Sequence, residues 1–325
     1  MTVRCIPKFT ISSSALQACF TTEPSITPES AWSSLQPAIT SIFQQQPHST
    51  HPDILYRLVQ SFTTLPQSSN ESLFSLLINS LQHHIYQSIS PLVSCEDYDS
   101  LLVSTRLCWN TLCSNLSRIF DIFAPLDRSY VLKSHNSSLL QLCFTYVRSV
   151  FISLSISINS ASSPLSEHLC HAVCNKVIQM REGADVDLAM MSSISNMMDK
   201  INLYDDLEAL LLKTSINMFQ NLAVVKRDQL DSDEYLNWVD SVMKFENLTF
   251  SDIFKKSTVA SVIEIIESEL FLKNLDVFSQ DSFDQFVNSK NYSAISIFAA
   301  LCTKAFQNDL LLSYFKNYIL KKVRI

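Results

Sequence analysis

Apolar residues recur every three or four positions along most of this 325-residue chain, the spacing of one buried face on an α-helix. In the first such stretch, which follows Thr27, Trp32 and Leu35 are three residues apart and Leu35 and Ile39 are four apart. The same spacing predicts a series of helices over residues 28–43, 53–65, 69–89, 97–123, 137–158, 165–181, 186–201, 204–228, 233–245, 250–272, 281–288, 292–308 and 310–322.

Proline- and serine-containing segments divide these predicted helices into blocks. Residues 1–29 have weak periodicity and form an extended N-terminal arm; the helical blocks cover residues 30–160, 161–246 and 247–325. Stacked multi-helix units bury a continuous core between neighbours. We therefore expect an all-α, elongated, solenoid-like stack of three helical bundles with no sheet.

Glycine is nearly absent, with one residue in the chain where average usage of ~7% would give roughly 23. Tight hairpins, phosphate loops and dinucleotide folds all need glycine in turns, so these classes are excluded. The single glycine, Gly183, follows one predicted helix, which is the place of a left-handed C-terminal cap. We expect Asp185 to be the N-cap of the next helix.

Net charge and cysteine usage narrow the partners. The net charge is −7 and the pI about 5.5, which disfavours direct nucleic-acid binding. Nine cysteines without a framework spacing indicate reduced thiols in an intracellular protein. Residues 139–158 are strongly apolar, but Arg148 lies in their middle, which favours a buried helix over a membrane span.

The residues with metal-ligating side chains cluster once, in the segment EHLCHAVC. A structural zinc site draws four converging ligands, usually from two separated pairs, and one helix cannot supply them, so we expect no metal at His168, Cys170, His171 and Cys174. No catalytic or cofactor-binding motif is present either. We expect a non-catalytic protein; an enzyme with an unrecognised site would need a polar pocket with perturbed pKa values.

An ordered series of segments resembles the cullin family. The segment CWNTLCSNLSRIFDIFAPLDRSYVLKS, from Cys108 onward, has a Trp-bearing helix followed by a cullin-like LDRxYV element, and Asp127, Arg128, Tyr130 and Val131 match that element. Similar cullin-like segments occur at residues 53–62, 181–187, 204–219 (with Phe219 where tyrosine is usual) and 232–240. LDRSYVLK and the N-terminal IPKFTI resemble the cullin-4 subfamily most, and a Ser-rich insertion at 155–163 departs from the family pattern.

The resemblance implies the N-terminal stalk of a cullin, built from three cullin repeats with the block boundaries given above. It implies a scaffold of a cullin-RING E3 ubiquitin ligase, found in the nucleus and cytoplasm. Its partner would be a triple β-propeller adaptor of the damage-specific DNA-binding protein type, which recruits WD-repeat substrate receptors. The C-terminal domain that binds the RING-box protein and carries the neddylation lysine has no counterpart in this sequence.

The same resemblance places the adaptor surface on the second helix and the LDRxYV corner of the first repeat. Asp53, Tyr56 and Gln60 share one face of that helix, and tyrosine is a favoured hot-spot residue. Leu55 and Val59 either pack inward or join the edge of the surface, and Tyr56 is alternatively a half-buried core residue. The full set implied is Pro7, Lys8, Phe9, Asp53, Leu55, Tyr56, Val59, Gln60, Arg128 and Tyr130.

A different helical-repeat scaffold, such as a vesicle-tethering subunit, also has long helix bundles. Binding to a β-propeller adaptor separates the two hypotheses.

Overall fold

The computed structural model describes residues 27–47, 50–64, 66–158, 161–304 and 307–323, and nearly all of them are helical. The all-α prediction is confirmed. The α-helices are α1 Pro28–Phe43, α2 Pro52–Phe62, α3 Gln67–Ile89, α4 Tyr98–Leu126, α5 Leu132–His135, α6 Leu139–Ser153, α7 Leu165–Arg181, α8 Leu188–Lys200, α9 Tyr204–Gln229, α10 Ser232–Ser251, α11 Lys256–Ile266, α12 Gln280–Asn288, α13 Tyr292–Lys304 and α14 Asn308–Val323. Short 3₁₀ segments cover Ser90–Ser94 and Leu272–Val277, and π-helical turns cover Asp127–Val131 and Glu267–Phe271.

The chain forms two compact units. Of the described residues, the first unit contains those within 27–87 and 111–143, and the second contains those within 88–110 and 144–323. The predicted repeat boundaries near residues 160 and 246 stay a prediction.

The first unit is built around α3. Leu73, Leu77, Leu81 and Ile85, four residues apart, are fully buried, so one straight stripe of this helix faces the interior. Helix α1 contributes its own stripe, with Leu35 and Ile39 at 1% exposure among them. The first helix is therefore packed as its hydrophobic spacing predicts.

The second unit ends in an aromatic cluster. Phe271, Phe278, Phe283 and Phe298 are each at most 1% exposed, and Phe271 and Phe278 have ring centroids 5.5 Å apart. Tilted and edge-on rings at such distances stabilise a core beyond their burial alone. The C-terminal helices are thus held by aromatic packing.

A two-stranded hairpin corrects the expectation of no sheet. Residues 155–158 pair antiparallel with residues 161–164, with Ile156 opposite Ser163. Ile156 and Ile158 are 1% exposed while Ser155 and Ser157 are exposed, and this alternation is the period of a strand. The predicted helix over 137–158 is therefore wrong beyond Ser153, and the Ser-rich insertion is the hairpin.

Gly183 caps α7 as predicted. Its φ is +90°, and the amides of Gly183 and Ala184 donate to the carbonyls of Met180 and Gln179, which is the Schellman arrangement. The N-cap of α8, however, is Asp187, whose Oδ1 accepts from Met190 N at 2.9 Å. The assignment of Asp185 as this N-cap is wrong.

The boundary between α10 and α11 also differs from the prediction. Helix α10 runs to Ser251 without the predicted break after Phe245, and Phe250 is fully buried in its last turn.

Within the described ranges, no helix combines the length and apolar character that a membrane crossing requires.

Candidate protein-interaction surface

Helix α2 has a buried face and an exposed face. Its N-terminus is set by His51, whose Nδ1 accepts from Asp53 N at 3.3 Å, and by Pro52, whose missing N–H costs nothing at the first helical position. Leu55 and Val59 are 2% and 0% exposed. They pack inward, which decides between the two placements that the sequence left open.

The exposed face of α2 carries most of the predicted contact residues of this helix. Asp53 and Gln60 are exposed and Tyr56 is partly exposed. Ile54, which is not among the predicted adaptor-contact residues, is 60% exposed. Because Ile54 and Tyr56 are two residues apart, they lie at opposite edges of this exposed face. Together with the polar residues between them they give a mixed surface of the kind found at protein interfaces.

The LDRSYV corner follows α4 directly. Pro125 does not interrupt the helix, which continues to Leu126 and passes into the π-helical turn Asp127–Val131. Oδ1 of Asp127 accepts from the backbone N–H of Leu139 at 2.7 Å, across twelve residues. This hydrogen bond satisfies a free amide at the start of α6. The aspartate of the motif thus fixes the position of the next helix.

Tyr130 is a core residue of the corner. Its side chain is 8% exposed, and its ring lies 5.8 Å from that of Phe74 and 6.2 Å from that of His135. The role of Tyr130 as an adaptor contact stays a prediction. In the structure, its ring packs inside the corner. Arg128 is exposed, and within the described residues it makes no salt bridge.

A cleft of about 240 Å³ opens between α1, α2 and α4. Its floor is apolar and buried, formed by Ala38, Ile42, Leu55 and Ile122. Its rim carries Thr50, Pro52, Arg118 and Asp121. We call this feature the α1–α2–α4 cleft.

The rim of the cleft supplies two opposite charges. Arg118 and Asp121 are exposed, and in the part of the chain that the structure describes neither is in a salt bridge. An apolar floor with charged groups at its edge can receive an apolar side chain and bond the polar groups beside it. Helix α2 contributes Pro52 to the rim of the cleft and Leu55 to its floor.

The sequence contained a signal for the rim residues. Arg118, Asp121, Pro125 and Arg128 follow one another at steps of three, four and three residues, so they lie along one helical face. Following that spacing upstream from the LDRSYV motif identifies Arg118 and Asp121. Pro7, Lys8 and Phe9, the predicted contact residues of the arm, lie outside the described residues.

The residues of EHLCHAVC occupy different environments in α7. His168 is 2% exposed and its Nε2 lies 3.1 Å from the carbonyl oxygen of Ile156, whereas the side chain of His171 is 45% exposed. Burial raises the pKa of the Cys170 and Cys174 thiols to about 12, so they stay protonated near neutral pH and are poor metal ligands. Among the described residues, no group of three His, Cys, Asp or Glu side chains is arranged to hold a metal ion.

Comparison with known proteins matches the helical region as a whole. Residues 32–324 match the model of the cullin alpha solenoid domain. The chain is 24% identical over 264 residues to Cullin-4 of Dictyostelium discoideum, covering 80% of this chain and 32% of that protein. It is 21% identical over 264 residues to human Cullin-4A, covering 80% of this chain and 33% of that protein.

A third relative, Cullin-3 of Dictyostelium discoideum, is 23% identical over 256 residues, covering 76% of this chain and 32% of that protein. The chain therefore spans about a third of the length of these curated relatives.

Proposed function

The chain belongs to the cullin family, and from that membership we propose that it is the adaptor-binding stalk of a cullin-RING E3 ubiquitin ligase. The observation that carries the proposal is that the cullin match covers α1, α2 and α4, the helices that form the α1–α2–α4 cleft. Family membership favours this role over that of a vesicle-tethering subunit.

The proposed partner is a triple β-propeller adaptor of the damage-specific DNA-binding protein type, which in turn brings WD-repeat substrate receptors. Two features support this choice: the similarity to cullin-4 proteins, and a first unit in which Ile54 and Tyr56 of α2 and the oppositely charged Arg118 and Asp121 of α4 are all fully or partly exposed. We also propose a RING-box protein as a partner in the complex. It would bind through cullin regions that lie outside the part of the relatives that this chain matches. We place the complex in the nucleus and cytoplasm.

The proposed role needs no catalytic group in this chain. A scaffold contributes by holding its partners in position, and interface energy concentrates in a few residues surrounded by nearly neutral contacts. We assign that concentration to Ile54 and Tyr56 on α2. Arg118 and Asp121 at the rim of the cleft, and Arg128 in the LDRSYV corner, provide charged contacts. Leu55 and Val59 act from beneath by fixing the helix.

The test is calorimetric titration of the chain with a purified triple β-propeller adaptor. Replacing Ile54 by Asp and Tyr56 by Ala together should weaken binding by roughly a hundredfold, because truncating one hot-spot residue commonly costs about 2 kcal/mol or more. The matched control is Val224→Asp, which changes an apolar side chain of similar exposure (65%) on α9.

The control variant should bind as tightly as the wild type. Unchanged affinity of the folded Ile54→Asp/Tyr56→Ala variant, or equal losses in both variants, would show that the proposed surface is wrong.

A further inference from the structure

A second groove lies on the other side of α1. It runs between α1 and α3 and has a volume of about 530 Å³. Its lining residues include Trp32 and Gln36 of α1, the C-cap residue Gln44, and Asn79, His83 and Gln87 of α3. We call it the amide groove. On α1, Gln36 and Thr40 line the amide groove. The residues two positions later, Ala38 and Ile42, line the α1–α2–α4 cleft. Two residues are about 200° of helical rotation, so the amide groove and the α1–α2–α4 cleft use opposite faces of α1.

The lining of the amide groove repeats along both helices. Gln36 on α1 and Gln44, the C-cap of that helix, are eight residues apart. On α3, Asn79 and Gln87 are also eight residues apart, and the side chain of Gln87 hydrogen-bonds His84. Each wall therefore presents carboxamides at intervals of about 12 Å. From Trp32 to Gln44 the groove is about 18 Å long, which accommodates about five residues of an extended chain.

Among the residues that the structure describes, no Asp, Glu, Lys or Arg lines this groove, although such residues make up 17% of the chain. Burial lowers the pKa of His84, and its ring is stacked on Phe43 with centroids 4.6 Å apart. A groove without cations is unsuited to a phosphate backbone. Its complement is an uncharged polar ligand.

The carboxamide rows select the conformation of that ligand. A carboxamide has both donor N–H groups and an acceptor oxygen, the same pair that a peptide backbone offers. An extended segment leaves its backbone groups available, and main-chain hydrogen bonds give such complexes their affinity. A helical ligand uses these groups internally, so it has nothing to exchange with the carboxamides.

We propose that the amide groove binds an extended, uncharged polypeptide segment of a partner protein, with an apolar side chain of that segment packed against Trp32. This site is separate from the adaptor surface, and it does not depend on the adaptor proposal.

The experiment is selection of a phage-displayed library of random eight-residue peptides on the full chain. The same library is selected on a Gln36→Leu/Asn79→Leu variant. Enriched peptides are then synthesised and titrated against both proteins. We expect enrichment of peptides poor in Asp, Glu, Lys and Arg, with binding at least about tenfold weaker to the variant because two hydrogen bonds are lost.

Two further variants complete the experiment. Gln220→Leu removes an exposed carboxamide on α9, in the second unit and outside both proposed surfaces, and should bind the peptides like the wild type. Gln44→Leu tests the groove through a different residue, so that the result does not depend on how well the double variant folds. The proposal is overturned if no peptide is enriched, if the enriched peptides are strongly charged, or if the groove variants bind them with wild-type affinity.

Discussion

The two units use buried polar groups differently. In the second unit, Arg181 and Glu246 form an ion pair inside the protein, with side chains 3% and 1% exposed and a shortest contact of 2.7 Å. In the first unit, the LDRSYV corner is packed by the ring of Tyr130 against that of Phe74. None of the ion pairs among the described residues involves this corner. The second unit therefore depends on a paired charge where the first depends on shape.

The partners of Arg181 explain why its charge is tolerated. Its guanidinium also donates to Ser215 Oγ at 3.0 Å and lies 4.8 Å and 5.2 Å from the ring centroids of Phe219 and Phe250. A buried ion pair is acceptable only when the geometry is good and the remaining donors are satisfied. The second unit is therefore sensitive to the loss of one ion-pair partner, whereas the buried polar residues of the first unit, Asn70 and Asn115, are uncharged.

The largest effect is expected when this ion pair is broken. Arg181→Met leaves Glu246 buried without its partner, and should lower the free energy of unfolding by about 4 kcal/mol. Denaturant titration of the full chain measures this.

Adding Glu246→Leu to Arg181→Met removes the orphaned charge and should restore part of the loss. An Arg181→Met protein as stable as the wild type would contradict the contrast between the units.

The next effect concerns the two tyrosines of the first unit. Tyr130→Ala opens a cavity in a packed corner and should cost about 3 kcal/mol of stability. Tyr56→Ala, at a partly exposed position on α2, should cost less than about 1 kcal/mol. Thermal melts of both variants give the comparison, and equal losses would mean that Tyr56 is as deeply packed as Tyr130.

The smallest effect concerns an exposed ion pair of the second unit. The hydrogen bond from the backbone N–H of Met190 lowers the pKa of Asp187, with a further contribution from Arg106, 2.9 Å away. A depressed folded-state pKa gives stability that is present above the ordinary value of 3.8 and is lost as pH falls through the folded value. Asp187→Asn should therefore be slightly less stable than the wild type at pH 7. The difference should disappear on acidification below pH 3.8, and urea titrations across that range measure it; a difference that grows instead would contradict the assignment.

Much of the helical frame could be predicted because its signals are local. Hydrophobic spacing placed α7 from Leu165 to Arg181 correctly, and the single glycine marked its end. The hairpin at 155–164 escaped prediction since Ile156 and Ile158 are only two buried positions in a short alternation, directly after a helix with strong apolar spacing. The break before α11 has no glycine or proline, so only tertiary packing around Phe250 places it.

The candidate surface was predictable in part. The resemblance led to α2 and to the LDRSYV corner, and helical spacing correctly grouped Asp53, Tyr56 and Gln60. Helical spacing does not tell which side of the LDRSYV motif is buried, so it did not predict that Tyr130 lies inward. The α1–α2–α4 cleft joins residues more than sixty positions apart, such as Pro52 and Asp121, which a local pattern does not connect.

The central claim is that the first unit holds the adaptor through α2 and the rim of the cleft. Hydrogen–deuterium exchange of the full chain, with and without a purified triple β-propeller adaptor, tests this most directly. We expect slower exchange on adaptor binding over residues 52–62 and 118–131, with no change over 204–251. Protection confined to 204–251, with α2 unchanged, would contradict it.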